Sequence, residues 1–134
     1  MRIAVVSVPA RARGASPCAE ALAKGMRAMG HFVDVIDAWT GDGYRLPGYE
    51  YLAVCAEQTA LFGGKMPEAL AKILAVANIE GKKGAAFLKK TSPFTGKALA
   101  NLMRALEKEG VIVNWSEIIL NPPHAEAIGK LIGA

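Results

Sequence analysis

Cysteine is scarce: Cys18 and Cys55 are the only two in 134 residues. They have no CxxC spacing and no accompanying Cys/His cluster, which argues against both a zinc module and a disulfide framework, so reduced thiols are expected. No apolar run approaches the roughly 20 residues that span a bilayer. The opening MRIAVVSVPARARG turns polar too early for a signal peptide's apolar core, and the chain is therefore expected in the cytoplasm, without a membrane partner. Aromatic residues are few, four Phe, three Tyr and two Trp, and none interleaves with a dense Lys/Arg stripe, so nucleic acid is not the expected partner. Neither His31 nor His124 has a Ser or Cys partner at a recognisable spacing, which removes a nucleophilic triad. The loop after the first apolar run lacks G-x-G-x-x-G, and with it the dinucleotide fingerprint. Asp34 and Asp37 alternate with apolar residues as in an ordinary strand, and no hydrolytic carboxylate pair is indicated.

What remains is an apolar chain of modest positive charge. It is 52% hydrophobic and 21% charged, with 16 Lys and Arg against 12 Asp and Glu for a formal net charge of +4. That balance mildly favours anionic ligands or partners, and the length suits one domain spanning residues 1–134. Arg2 to Val8 reads as a buried strand, followed by a loop from Pro9 to Ser16. A helix is predicted from Pro17, because Ser16 is a good N-cap and Pro is favoured at the first helical position. Gly30 closes it as a C-cap. Further strands are expected over His31 to Asp37, Tyr49 to Ala56, Lys82 to Leu88 and Val111 to Leu120, the last broken in its middle by polar residues. Helices are expected over Met66 to Val76, through Leu99, Leu102, Met103 and Leu106 to Gly110, and over His124 to Ile132. Ala38 to Gly48, rich in Gly, Asp and Pro, predicts a loop or one distorted turn. Alternating strands and helices imply a parallel sheet with right-handed crossovers in a three-layer α/β sandwich.

The segments Cys18 to Met26, Ala28 to His31 and Val33 to Asp37 resemble the first helix and second strand of many flavodoxins. From its first strand to its last helix the chain is similar to the flavodoxin-like superfamily, nearest to flavodoxin and NADPH-dependent FMN reductase type domains. This resemblance implies a five-stranded parallel sheet in the order 2-1-3-4-5 with helices on both faces. It also implies bound FMN and a redox role, either electron transfer or NAD(P)H-dependent reduction of flavin or quinone, and leaves open whether the chain is itself an oxidoreductase. The alternative is a flavodoxin-like domain that has lost flavin and serves as a binding or interaction module.

The resemblance also assigns a site. In that superfamily the flavin phosphate sits in the loop after the first strand, at a helix N-terminus whose unpaired N–H groups favour an anion. Gly14, Ala15 and Ser16 match that loop's end, with the hydroxyl supplied by Ser16 alone, while Arg11 and Arg13 are either charge-assisted phosphate donors or solvated side chains. The second flavin-contacting loop maps to Ala56 to Pro67. Glu57 and Thr59 stand near the positions of a Pro and an aromatic wall residue, Gly63 lies beside the ring, and Phe62 either stacks on it or anchors the loop into the core. The third loop maps to Lys89 to Gly96, where Ser92 and Thr95 would line the ring. Lys89, Lys90 and Lys97 with the two arginines would make this rim positive, suited to a phosphate-bearing small molecule or an acidic redox partner. Cys18 and Cys55 would approach one another there, and the helix N-terminus would lower the Cys18 pKa; the alternative is two buried structural thiols.

Overall fold

The computed structural model describes residues 1–12, 14–59, 65–91 and 95–132. Among the described residues the chain alternates β1 (Arg2–Val8), α1 (Pro17–Ala28), β2 (Phe32–Asp37), β3 (Tyr51–Ala56), α2 (Glu68–Val76), β4 (Lys83–Lys89), α3 (Thr95–Lys108), β5 (Ile112–Ile119) and α4 (Pro122–Gly129). All four strand pairings are parallel, in the order β2-β1-β3-β4-β5. The sheet order is the one the resemblance implies. Because alternate strand residues point to opposite faces, two apolar layers result. Ala4, Val6, Leu52, Val54, Ala86 and Leu88 pack toward α2 and α3. Ile3, Val5, Ala53, Cys55, Ala85 and Phe87 pack toward α1 and α4.

Local sequence accounts for most boundaries. Ser16 caps α1 by accepting the Ala19 N–H at 3.1 Å, with Pro17 at the first helical position. At the other end Gly30 takes φ +88, letting its N–H reach Arg27 O at 3.0 Å and the His31 N–H reach Met26 O at 3.3 Å. This is a Schellman closure, which favours glycine at the left-handed position. α4 begins at Pro122, two residues earlier than expected, because Asn121 caps it through Oδ1 to the His124 N–H at 2.9 Å.

Two segments differ from the sequence expectation. Ala38 to Gly48 is not one turn but two 3₁₀ segments, Ala38–Thr40 and Asp42–Gly48. Asp37 caps the first through the Trp39 N–H at 3.0 Å, and Leu46 of the second is buried in the layer that holds Ile73 of α2. β5 is one strand, Ile112–Ile119, at the edge of the sheet with Asn114 and Ser116 exposed, and its polar middle interrupts the pairing without ending the strand. A register shift beside Gly84 and Ala85 takes up Asn114 as the extra residue, and Asn114 Oδ1 accepts the Tyr51 hydroxyl at 2.6 Å. Among the described residues no helix is long and apolar enough to cross a membrane.

Candidate functional site

The chain leaves β1 toward β2 on one side of the sheet and returns to β3 on the other. The loops after β1 and β3 therefore part above the β1–β3 seam, where open α/β sheets bind ligands. α1 starts directly from the first of these loops, so its N-terminal amides face the same edge.

The turn into α1 is fastened from below. Ser7, the penultimate residue of β1 and fully buried, accepts the Ser16 N–H on its Oγ at 3.0 Å. Ser16, 3% exposed, uses its own Oγ to cap α1 and also hydrogen-bonds the Cys55 thiol. The Glu20 N–H donates to Ser16 O at 3.0 Å. These bonds leave the amides of Gly14, Ala15 and Cys18 without a protein acceptor among the described residues. Gly14 is exposed with φ +84, and a Cβ there would meet nothing within 4 Å. Arg11 is exposed on the same loop.

Glu57 follows β3 and continues its pairing, the Glu57 N–H donating to Val8 O at 3.0 Å. Its side chain is 8% exposed. Oε1 accepts the Ala10 N–H at 2.9 Å, and Oε2 lies 4.0 Å from Lys89 Nζ at the end of β4. One buried carboxylate thus ties the first loop to the fourth strand. Buried charges persist where they are paired and hydrogen-bonded. Trp39 props the same loop from the β2 side, its indole N–H donating to Pro9 O at 2.8 Å.

Cys18 and Cys55 lie in one apolar cluster, each 2% exposed. Burial raises the Cys18 pKa; the Lys89 charge pulls it down and the Glu57 charge pushes it up. Burial drives the Cys55 thiol to about 12, with Cys18 and Glu57 adding to the rise and Ser16 and Lys89 opposing it. Burial outweighs the pull of Lys89, so the Cys18 pKa moves up, and not down as expected.

Of the other assigned positions, Ala15 is half-buried beside Gly14. Thr59 is exposed and closes the base of the second loop, its N–H donating to Lys65 O at 2.9 Å. Thr95 is buried at the start of α3. Arg13, Phe62, Gly63 and Ser92 lie outside the described residues. Lys90 and Lys97 are exposed near the same edge. Three features had not been singled out from sequence: the Trp39 prop, the Ser7 anchor, and a Glu117–His124 pair between β5 and α4. In that pair His124 Nε2 lies 3.2 Å from Glu117 Oε2 while its Nδ1 accepts the Leu120 N–H at 3.1 Å. Both ring nitrogens are engaged, which ties the start of α4 to β5 and the residue that follows it.

Five parallel strands in this order with helices on both faces define the flavodoxin-like fold. Solved structures agree. The chain is similar to a flavodoxin from the domain Archaea, with a TM-score of 0.74 and 22% identity over 98% of this chain and 96% of that one. Against flavodoxin 1 from Bacillus cereus the TM-score is 0.73, with 17% identity over 96% and 95%. Against a WrbA-like flavodoxin from Agrobacterium tumefaciens it is 0.67, with 16% identity over 98% and 94%. No protein-family model matches the chain, and no curated protein matches it. At these identities the likeness is one of fold, on which many activities are built.

Proposed function

We propose that the chain binds FMN at the C-terminal edge of its sheet and works as a redox protein, the flavin supplying hydride or single-electron transfer. The observation that carries this reading is the set of amides at Gly14, Ala15 and Cys18 that have no acceptor among the described residues, at the start of α1 on a turn fastened by Ser7 and Ser16. Those donors suit a phosphate ester at a helix N-terminus. In this reading Arg11 and Arg13 add charge-assisted donors, and Thr59, Phe62, Gly63, Ser92 and Thr95 lie along the ring. The likeness to flavodoxins supports the flavin. The exposed Arg11, Lys65, Lys90 and Lys97 support an acidic protein as the redox partner, docking with steep salt dependence.

A second reading, a flavodoxin-like module for another ligand, draws support from two facts. The Ser16 hydroxyl is spent as a cap, and a carboxylate is buried beneath the first loop. FMN titration separates the two. Under the first reading, flavin fluorescence or absorbance changes saturably, and at about 100 times Kd the fold gains about 2.7 kcal/mol, read as a higher melting temperature. A colourless preparation whose melting is unmoved by millimolar FMN would refute it in favour of the second.

A further inference from the structure

We infer that the groove between α2 and α3 docks an acidic amphipathic helix of a partner protein, its apolar side chains seated in the groove and its carboxylates against a basic stripe on α3. The inference goes beyond the flavin reading and does not require it, because the groove is built from α2, α3 and the residues just before α2, not from the amides of the β1–α1 turn.

The first support is shape. α2 and α3 lie on the same face of the sheet and bury Leu70, Ile73, Leu102 and Leu106 in one layer, yet the two helices scarcely touch. Between them is a recess of about 330 Å³, with Met66, Pro67, Leu70 and Ala71 on one bank and Ala105 on the other. A recess of this kind accepts the apolar face of a helix, read as anchors at i, i+3 or i+4, and i+7.

The second support is charge. Lys97, Arg104 and Lys108 recur at spacings of seven and four residues, which places them on one face of α3. All three are exposed, and Lys65 adds a fourth exposed cation at the groove itself. The opposite face of α3 holds the buried Ala98, Leu102 and Leu106. Among the described residues, none of the four cations has a carboxylate within ion-pair distance; Arg104 donates to the neutral Asn101 Oδ1 at 3.2 Å. Glu68, which lines the groove, is itself 3.7 Å from Lys72. At 3.6 residues per turn, the exposed Glu107 falls on the flank of α3 away from Asn101 and Ala105, the residues that face the groove. An acidic partner is thus complementary to this bank. A nucleic acid fits less well, since the described groove residues include no aromatic side chain on which a base could stack. A membrane surface fits less well too, since it takes up apolar side chains that project rather than a recess.

The full chain is titrated, by fluorescence anisotropy, with a labelled and end-capped peptide of about 18 residues, long enough to form a helix on binding. It is built of Leu, Ala and Glu, with Leu at i, i+3, i+4 and i+7. One control scrambles the same composition, and another carries Lys in place of Glu. The acidic amphipathic peptide should bind at least fivefold more tightly than either control, and K97E/R104E should weaken it at least fivefold. Ala71→Arg separates the groove from charge alone: Ala71 is exposed, and the arginine fills the recess while adding a cation. A71R should therefore weaken the peptide, where attraction by charge alone would tighten it. No saturable binding up to about 1 mM peptide, a preference below fivefold, or tighter binding by A71R overturns the inference. So does retention on phosphatidylserine vesicles or on a single-stranded oligonucleotide by a protein that ignores the peptide. If K97E/R104E does not fold, R104Q/K108Q decides: weaker peptide binding supports the inference and unchanged binding overturns it. A protein that binds the peptide but not FMN keeps this inference and loses the flavin reading, and one that binds FMN but not the peptide does the reverse.

Discussion

Gly25 and Gly129 face one another where α1 crosses α4, and replacing either by alanine sets two physical effects against each other. In an isolated helix, Gly25→Ala would stabilise by about 1 kcal/mol through helix propensity. Here a Cβ on Gly25 would lie 3.0 Å from the Glu126 carbonyl carbon and 3.1 Å from the Gly129 Cα, with the Glu126 oxygen closer still. A Cβ on Gly129 would meet the Leu22 oxygen, the Met26 nitrogen at 3.0 Å and the Gly25 Cα at 3.1 Å. All of these are backbone atoms, so no rotamer change relieves the overlap. The helices would have to part by on the order of 1 Å, loosening Ile128 and Ala125 from the sheet, and overpacking of this kind costs about 1–3 kcal/mol. The contact is expected to win, leaving G25A less stable than the parent by up to about 2 kcal/mol. Urea unfolding followed by circular dichroism should show a lower midpoint at unchanged slope. G96A is the control: Gly96 lies in the first turn of α3, where an added Cβ meets nothing within 4 Å, so it should gain up to about 1 kcal/mol. A G25A protein as stable as the parent, or more stable, would refute the close crossing.

Two other outcomes follow from the site. Ser16→Ala removes the α1 cap and the bond to the Cys55 thiol, and should cost about 1–2 kcal/mol in urea unfolding; a loss below about 0.3 kcal/mol would show that the cap is unimportant. Alkaline pH should destabilise the fold. Burial raises the Cys55 thiol from 9.0 to about 12 and the Tyr51 phenol from 10.0 to about 12, so between those values the native state binds more protons than the unfolded chain. Stability is therefore full below about pH 9 and falls as pH rises toward 12. Unfolding free energy measured from pH 8 to 11 should decline, and Cys55→Ala should flatten part of that slope; an unchanged slope would place Cys55 outside the effect.

Local signals made the start and end of α1 legible, because Ser-Pro before an apolar helix and Gly after it act within a few residues of the boundaries they set. Asn121-Pro122-Pro123 carries the same cap-and-proline signal, and α4 does begin there; two consecutive prolines resemble a connection unless the asparagine is weighed as a cap. The Ala38 to Gly48 segment was harder, since its 3₁₀ turns are held by the Asp37 cap and by Leu46 in the α2 layer rather than by any periodicity. Gly25 shows where local reasoning stops. Within its own helix it is only a propensity cost. Its reason is Glu126 and Gly129, about 100 residues further along the chain, and no spacing within α1 encodes that. The same holds for Glu57, which stands in the second loop by sequence but acts on Ala10 of the first and Lys89 of the fourth strand.

The division of labour at the loop has a consequence for how the site would respond to change. Ser16, the one hydroxyl the resemblance assigned to phosphate, together with Ser7 secures the turn instead, so under the proposed function the anion would be held by backbone amides and the nearby arginines. Truncating a side chain leaves the backbone N–H in place, and only proline removes it, whereas the charges around the loop can be removed singly. Arg11, Lys90 and Lys97 are exposed, so altering them should move affinity and its salt dependence while leaving the fold within about 0.5 kcal/mol. Altering Ser7, with its buried acceptor of the Ser16 N–H, should instead disturb the turn itself, because a buried donor left unpaired costs about 1–3 kcal/mol. Shape and charge at this edge are thus carried by different side chains and should separate under mutation.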